Sequence, residues 1–382
     1  MPKILKLFII AIAMILLHLP TGLVASYSPS DQISVIQQWQ TYTDPKLGFS
    51  ISYPSYWSVI PRNDSLGAGA TLVIVDNAYK SHNSKVEIGM YLVEANPDQS
   101  LEDWTIQYEL FSRSLDQPTN LELTILKTPS NETDLLQAKG SSSITEYRFT
   151  NILRGKIVWF IWSNVSDSNI DIYNKIVESF RFSDSTPYSL QDVYGERFRP
   201  FSWFGTSKVT GNPSLHTINS PNDNLFTPLN LGTWWHAPLR GANLTATCNS
   251  PAHNTSWSRY AIDVARPQGT PIYASSSDPV VFVGWSNSGY GNLVRTQGGV
   301  KAYYAHLHSI NWELIYSRNY NVQRGDVLGW VGSTGNSTGN HLHFEVRNLS
   351  DTSIRLNGMT GFTPIRVDYA YPDNPCGTIS YP

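Results

Sequence analysis

The stretch Asn340-His341-Leu342-His343-Phe344-Glu345-Val346 decides how this chain is read. Its apolar, β-branched and aromatic residues favour a strand. Successive strand side chains alternate faces, so His341 and His343 share one face while Leu342 and Phe344 share the other. Two imidazoles on one face form half of a metal or acid–base site. The plainer alternative is a pair of surface histidines on an amphipathic strand. The strand is delivered by a turn-rich loop, Gly332-Ser333-Thr334-Gly335-Asn336-Ser337-Thr338-Gly339.

Working outward, three segments add candidate chemistry. Asp263 sits in Tyr260-Ala261-Ile262-Asp263-Val264, a carboxylate in an apolar strand. Such a group is costly unless it is paired or bound to metal. His253 lies upstream of it in a polar loop, and His236 follows Trp234-Trp235. His306 closes Tyr303-Tyr304-Ala305-His306-Leu307, where alternation predicts Tyr304 on its face. A histidine there suits an acid–base or electrophilic role. A catalytic zinc takes three protein ligands and leaves one position for water. His341 or His343, Asp263 and His253 are the candidate ligands, and His236 is the fallback for the third.

The order of motifs is more specific than any one of them. Tyr260–Asp263, Gly269–Ala274, Tyr290–Val294, Tyr304–Leu307, Val322–Gly329 and Gly332–Glu345 together resemble the lysostaphin/LytM-type zinc endopeptidases. The resemblance implies that His343 and Asp263 bind zinc (Zn2+). It implies that His341 and His306 flank the attacking water and stabilise the oxyanion. It implies a zinc metalloendopeptidase cleaving peptidoglycan peptides through a metal-activated water. Members that have lost ligands act as wall-binding regulators of other hydrolases, which is the alternative. Where many members place the first histidine ligand this chain has Arg259, which cannot ligate zinc; His253 fits a variant with that histidine further upstream.

Other residues carry two readings each. Asn292 matches a family position near the metal and would orient substrate, or it is a turn asparagine. Tyr304 either hydrogen-bonds in the site or packs in the core. His308 reads as a solvated loop histidine. Glu345 continues the histidine face and either supports a ligand or is an ordinary exposed carboxylate. Trp234, Trp235 and Trp285 either line a groove or pack in the core.

The rest of the chain sets the context. With 382 residues, two domains are expected. The net charge of -3 gives no footprint for nucleic acid. Lys3, Lys6, the apolar core Leu7 to Leu17 and the small residues near Ala25 and Ser26 read as a signal peptide over 1–26. No later apolar run is long enough to span a membrane, so a secreted or cell-wall-associated protein is expected. Export would permit a disulfide between Cys248 and Cys376.

Residues 40–184 predict an α+β sandwich with an antiparallel sheet and helices over Leu101–Leu115 and Ile170–Phe182. Its opening, Tyr42-x-Asp44-x-x-x-Gly48-Phe49-x-Ile51-x-Tyr53-Pro54-x-x-Trp57, resembles PsbP/Mog1-like domains, which mostly bind rather than catalyse. Residues 185–230 read as a linker packed on one domain or both. Residues 231–382 predict a mostly-β antiparallel metallopeptidase domain.

Overall fold

Runs such as Lys85–Met90 and Ile157–Ser163, dense in Val, Ile and aromatic residues, become strands buried along their whole length. The computed structural model describes residues 38–62, 69–77, 84–113, 124–126, 135–141, 146–165, 169–195, 235–239, 243–246 and 250–356. The signal-peptide stretch, His82, Trp234, Cys248, Cys376 and residues 196–230 of the expected linker lie outside them.

Antiparallel sheets dominate, with few helices between them. In the first half, β1 (Trp39–Asp44), β2 (Phe49–Pro54) and β10 (Arg181–Phe182) form a three-stranded sheet. A seven-stranded sheet runs β3 (Trp57–Pro61), β4 (Gly69–Asp76), β5 (Lys85–Met90), β9 (Ile157–Ser163), β8 (Glu146–Arg154), β7 (Leu135–Ser141) and β6 (Thr124–Leu126).

Helix α1 (Leu101–Arg113) matches the expected amphipathic period. Helix α2 (Ile170–Ser179) stops at Ser179 instead of running to Phe182. Phe180 turns extended, and Arg181 and Phe182 that follow pair with Ser50 and Phe49. Phe180 stacks on Phe49 at 5.5 Å between ring centroids, which favours the extended form over another helical turn. Residues 185–195 of the expected linker include α3 (Leu190–Tyr194), opened by a capping box between Ser189 and Asp192.

In the second half, the six-stranded sheet runs β11 (Asn243–Ala246), β12 (Ile262–Ala265), β19 (His341–Arg347), β16 (Lys301–Ala305), β15 (Gly291–Gln297) and β14 (Val280–Ser286). A three-stranded sheet joins β13 (Pro271–Tyr273), β18 (Val327–Val331) and β17 (Leu307–Ile310). Strand β17 and α4 (Trp312–Ser317) were not expected from sequence. No described strand of the first half pairs with one of the second.

The halves nevertheless share a core. Tyr91, Trp104, Tyr108, Phe160 and Trp162 pack in one buried cluster with Phe282, Trp285, Leu293 and Tyr303. Phe160 stacks on Trp285 at 4.5 Å and 19°. Tyr108 Oη donates to the Trp285 carbonyl at 2.6 Å, and Trp162 Nε1 donates to the Asn287 carbonyl at 3.0 Å. Trp285 is therefore a core residue, not a groove wall.

Emptying so large a buried site costs both transfer energy and the cavity left behind. Trp285→Ala should lose about 3–5 kcal/mol in urea unfolding. A loss under about 1 kcal/mol would contradict a shared core.

Candidate metal centre

Pairing of β12 with β19 sets Asp263 directly opposite His343. Directly opposed residues of an antiparallel pair bring their side chains together on one face. His343 Nδ1 lies 2.9 Å from Asp263 Oδ1. A 3₁₀ turn, Pro251–His253, brings His253 to the same carboxylate, with Nε2 3.3 Å from Oδ1. His253, Asp263 and His343 are all buried, and one donor atom from each lies within 4.8 Å of the others.

This donor set fits zinc. Two ligands at 2.0–2.1 Å from a tetrahedral ion are roughly 3.3 Å apart, the spacing seen between His253 and Asp263. Two imidazoles and a carboxylate also leave the fourth position open, as catalytic sites do.

Two further imidazoles border the group. Strand β16 ends at Ala305, and His306 adopts φ 62, a left-handed conformation rare outside glycine. That reversal swings its ring beside the site, with centroids 4.8 Å from His341 and 5.7 Å from His343. His306 Nδ1–H donates to the Thr334 carbonyl at 2.7 Å. His341 Nδ1–H donates to the Gly339 carbonyl at 2.8 Å, with Ser337 Oγ at 3.3 Å. Its Nε2 lies 3.8 Å from Asp263 Oδ1.

Both Nδ1–H groups are thus anchored by the loop 332–339, which fixes the tautomer of each ring. The loop itself is held tight. Gly335 has φ 68, and a Cβ there would strike the backbone of Gly289 and Gly291.

Behind His343 lies a buried charge network that sequence reading did not foresee. Glu345 is 0% exposed, so the exposed-carboxylate reading is corrected. Its oxygens meet Arg347 and accept from Tyr290 Oη at 2.8 Å, and Oε2 lies 3.5 Å from His343 Nε2. Alternation had placed Glu345 on the histidine face; only tertiary contacts reveal Arg347 and Tyr290 around it.

These contacts reset the proton affinities. Burial opposes charge on Asp263, but hydrogen bonds from His253 and His343 outweigh it and hold the carboxyl well below the usual range. Burial likewise opposes charge on His343. Hydrogen bonds to Asp263 and Glu345 overcome it and raise His343 to about 9. Glu345 falls to about 2 because Arg347 and then His343 overcome its burial. Burial, reinforced by His341 and His343, pushes His306 well below its ordinary value. Burial also lowers His341, though Asp263 opposes it.

The remaining expectations divide. Tyr304 is 0% exposed and faces the opposite side, its ring on Phe344 at 5.2 Å and its hydroxyl accepting the Ser275 N–H at 2.9 Å. The left-handed turn at His306 breaks the alternation that predicted a shared face, so Tyr304 is a core residue. Asn292 is 1% exposed, and its Nδ2 donates to the Leu307 and His308 carbonyls at 3.1 and 3.2 Å. It braces the turn after His306, as the turn-asparagine reading has it. His308 is buried in β17 instead of solvated. His236 donates from Nδ1 to the Ala237 carbonyl at 2.7 Å and borders a separate pocket with Arg266 and Tyr273. Arg259 is exposed.

Residues 258–356 match Peptidase family M23, so this segment is an M23 peptidase domain. His253 falls just outside the matched stretch. Among curated relatives, DD-carboxypeptidase/endopeptidase Mpg of Neisseria meningitidis is 47% identical over 88 residues, covering 22% of this chain and 19% of that protein. Lysostaphin of Staphylococcus staphylolyticus is 42% identical over 89 residues, covering 22% of this chain and 18% of that protein. The chain therefore spans about a fifth of the length of these relatives. The solution structure of cyanobacterial PsbP from Synechocystis sp. PCC 6803 is 19% identical, covers 43% of this chain and 99% of that chain, and has a TM-score of 0.29.

Proposed function

We propose that the M23 peptidase domain of this chain is an active, secreted zinc metalloendopeptidase that hydrolyses peptide bonds of bacterial peptidoglycan. The observation that carries the reading is the convergence of His253, His341 and His343 on the single carboxylate of Asp263, with the His306 ring beside His341 and His343. In this reading His253, Asp263 and His343 hold zinc. When bound, zinc polarises a scissile carbonyl and lowers the pKa of a water toward neutrality.

The chain's own groups do the proton work. His306 and His341 spend their Nδ1–H groups on Thr334 and Gly339, so a neutral ring of either offers an Nε2 lone pair. Burial favours that neutral form. Nε2 accepts a proton from the attacking water. The resulting imidazolium then faces the oxyanion as a donor and can pass the proton to the leaving amine. Glu345 fixes the orientation of His343 from behind.

The division into a leader over 1–26, a domain over 40–184, a connecting stretch over 185–230 and a peptidase domain over 231–382 is part of this proposal. So is the peptidoglycan substrate, which takes support from the DD-carboxypeptidase/endopeptidase named above. The exposed Arg259 is the feature that favours a non-catalytic wall-binding regulator. His253, 3.3 Å from Asp263, weighs against that role by supplying a ligand that position 259 lacks.

Mass spectrometry of fragments released from purified peptidoglycan tests the choice. The zinc-loaded protein should release cleaved stem or cross-bridge peptides. Stoichiometric zinc without fragments would favour the regulator.

A pH signature is also expected. Metal-free His343 keeps its proton up to about pH 9, and ligation through Nδ1 needs that lone pair. Zinc uptake at pH 7 should release about one proton from His343, and the release should fade as pH rises through 9. Calorimetry in buffers of different ionisation enthalpy measures it, and a buffer-independent enthalpy at pH 7 would contradict it.

A further inference from the structure

The loop that aims His306 and His341 is gripped by residues of the first half of the chain. Lys85 and Glu87 on β5 are 4% and 0% exposed. Lys85 Nζ donates to the Ser333 carbonyl at 2.6 Å and to the Ser337 carbonyl at 3.3 Å. Glu87 Oε1 accepts the Gly335 N–H at 2.9 Å. Lys85 Nζ stands 3.1 Å from Glu87 Oε1, and Arg62 Nη2 stands 3.5 Å from Oε2.

The contacted residues bracket Thr334, whose carbonyl receives the His306 Nδ1–H. They include Ser337, whose hydroxyl lies beside His341 Nδ1. A buried lysine–glutamate pair is expensive to desolvate, and apolar residues of the same volume would pack as well or better. What apolar residues could not supply is a donor for two loop carbonyls and an acceptor for the Gly335 N–H between them.

We propose that Lys85 and Glu87 are positioning residues for hydrolysis. They lock the loop 333–337 so that the Thr334 carbonyl holds His306 in its Nδ1–H tautomer with Nε2 turned to the site. The first half of the chain is then a working part of the peptidase and not only a tether or wall-binding module. This inference rests on the peptidase reading given above, and it specifies how that site is kept competent.

The test uses the full-length protein, with the histidine ring nitrogens labelled with ¹⁵N and read by NMR in the metal-free form. Wild type should show a single Nδ1–H tautomer at His306. Glu87→Ala should show a mixture of tautomers. In the zinc-loaded form its kcat on peptidoglycan peptides should fall about 10- to 100-fold, with KM and zinc content nearly unchanged. Glu87→Gln retains an acceptor oxygen for the Gly335 N–H and should restore both signals. Lys85→Met keeps the Glu87 acceptor and most of the buried stem, and carries the same readouts if Glu87→Ala does not fold. A folded Glu87→Ala protein with one His306 tautomer and unchanged kcat would overturn the proposal. If wild type releases no peptide fragments, the hydrolase reading fails, while the tautomer in the variants still decides the clamp.

Discussion

Asp263→Ala protein should be isolated without zinc and should hydrolyse peptidoglycan peptides on the order of 10⁴-fold more slowly than wild type, or worse. Asp263 is the one carboxylate that His253, His341 and His343 all approach, at 3.3, 3.8 and 2.9 Å from Oδ1. Removing it deletes one proposed ligand and the anion that holds the other imidazoles together. It also leaves buried histidines without the partner that raises His343, so ligation and local order fail together. The loss of rate follows from losing zinc's effect on water, whose pKa falls from 15.7 to about 7 at such centres. Metal analysis beside a peptide-release assay checks both halves. Stoichiometric zinc together with near-wild-type release would defeat the ligand assignment.

His306→Ala and His341→Ala should behave differently. Each should retain zinc, because neither supplies a proposed ligand, while kcat falls about 10²–10⁴-fold. In the proposed mechanism the two residues act on the same water and the same oxyanion, so the double variant should lose much less than the product of the single losses. Loss of zinc in either single variant would move that residue into the ligand set. Additive losses would mean that the two rings work independently.

Much of the site was legible because β-strands have a period of two. That period put His341, His343 and Glu345 on one face before any tertiary information, and Leu342 and Phe344 in the core. Asp263 was legible as a costly carboxylate in an apolar strand, although its register opposite His343 was not. Tyr304 was misread because local alternation assumes an unbroken strand, and the left-handed residue at 306 breaks it. His308 was misread because β17 is short and its burial comes from packing, not from its own pattern.

The hardest features to foresee join distant parts of the chain. Nothing in the local pattern of β5 marks Lys85 or Glu87 as buried. Their burial arises only when residues 248 positions away close over them. Similarly, Trp285 finds Phe160 of β9 and Tyr108 of α1 only once the second-half sheet meets the sheet and helix of the first half.

The left-handed backbone at His306 places this residue under two opposed selections. A β-carbon in that conformation costs about 1–2 kcal/mol that glycine would not incur. Glycine at position 306 would recover that cost but would delete a buried imidazole and its 2.7 Å bond to the Thr334 carbonyl, so the strained backbone is held in place by the side chain it carries. If the ring does the proton work proposed for it, changes made for heat resistance would have to leave position 306 untouched and find their gains elsewhere.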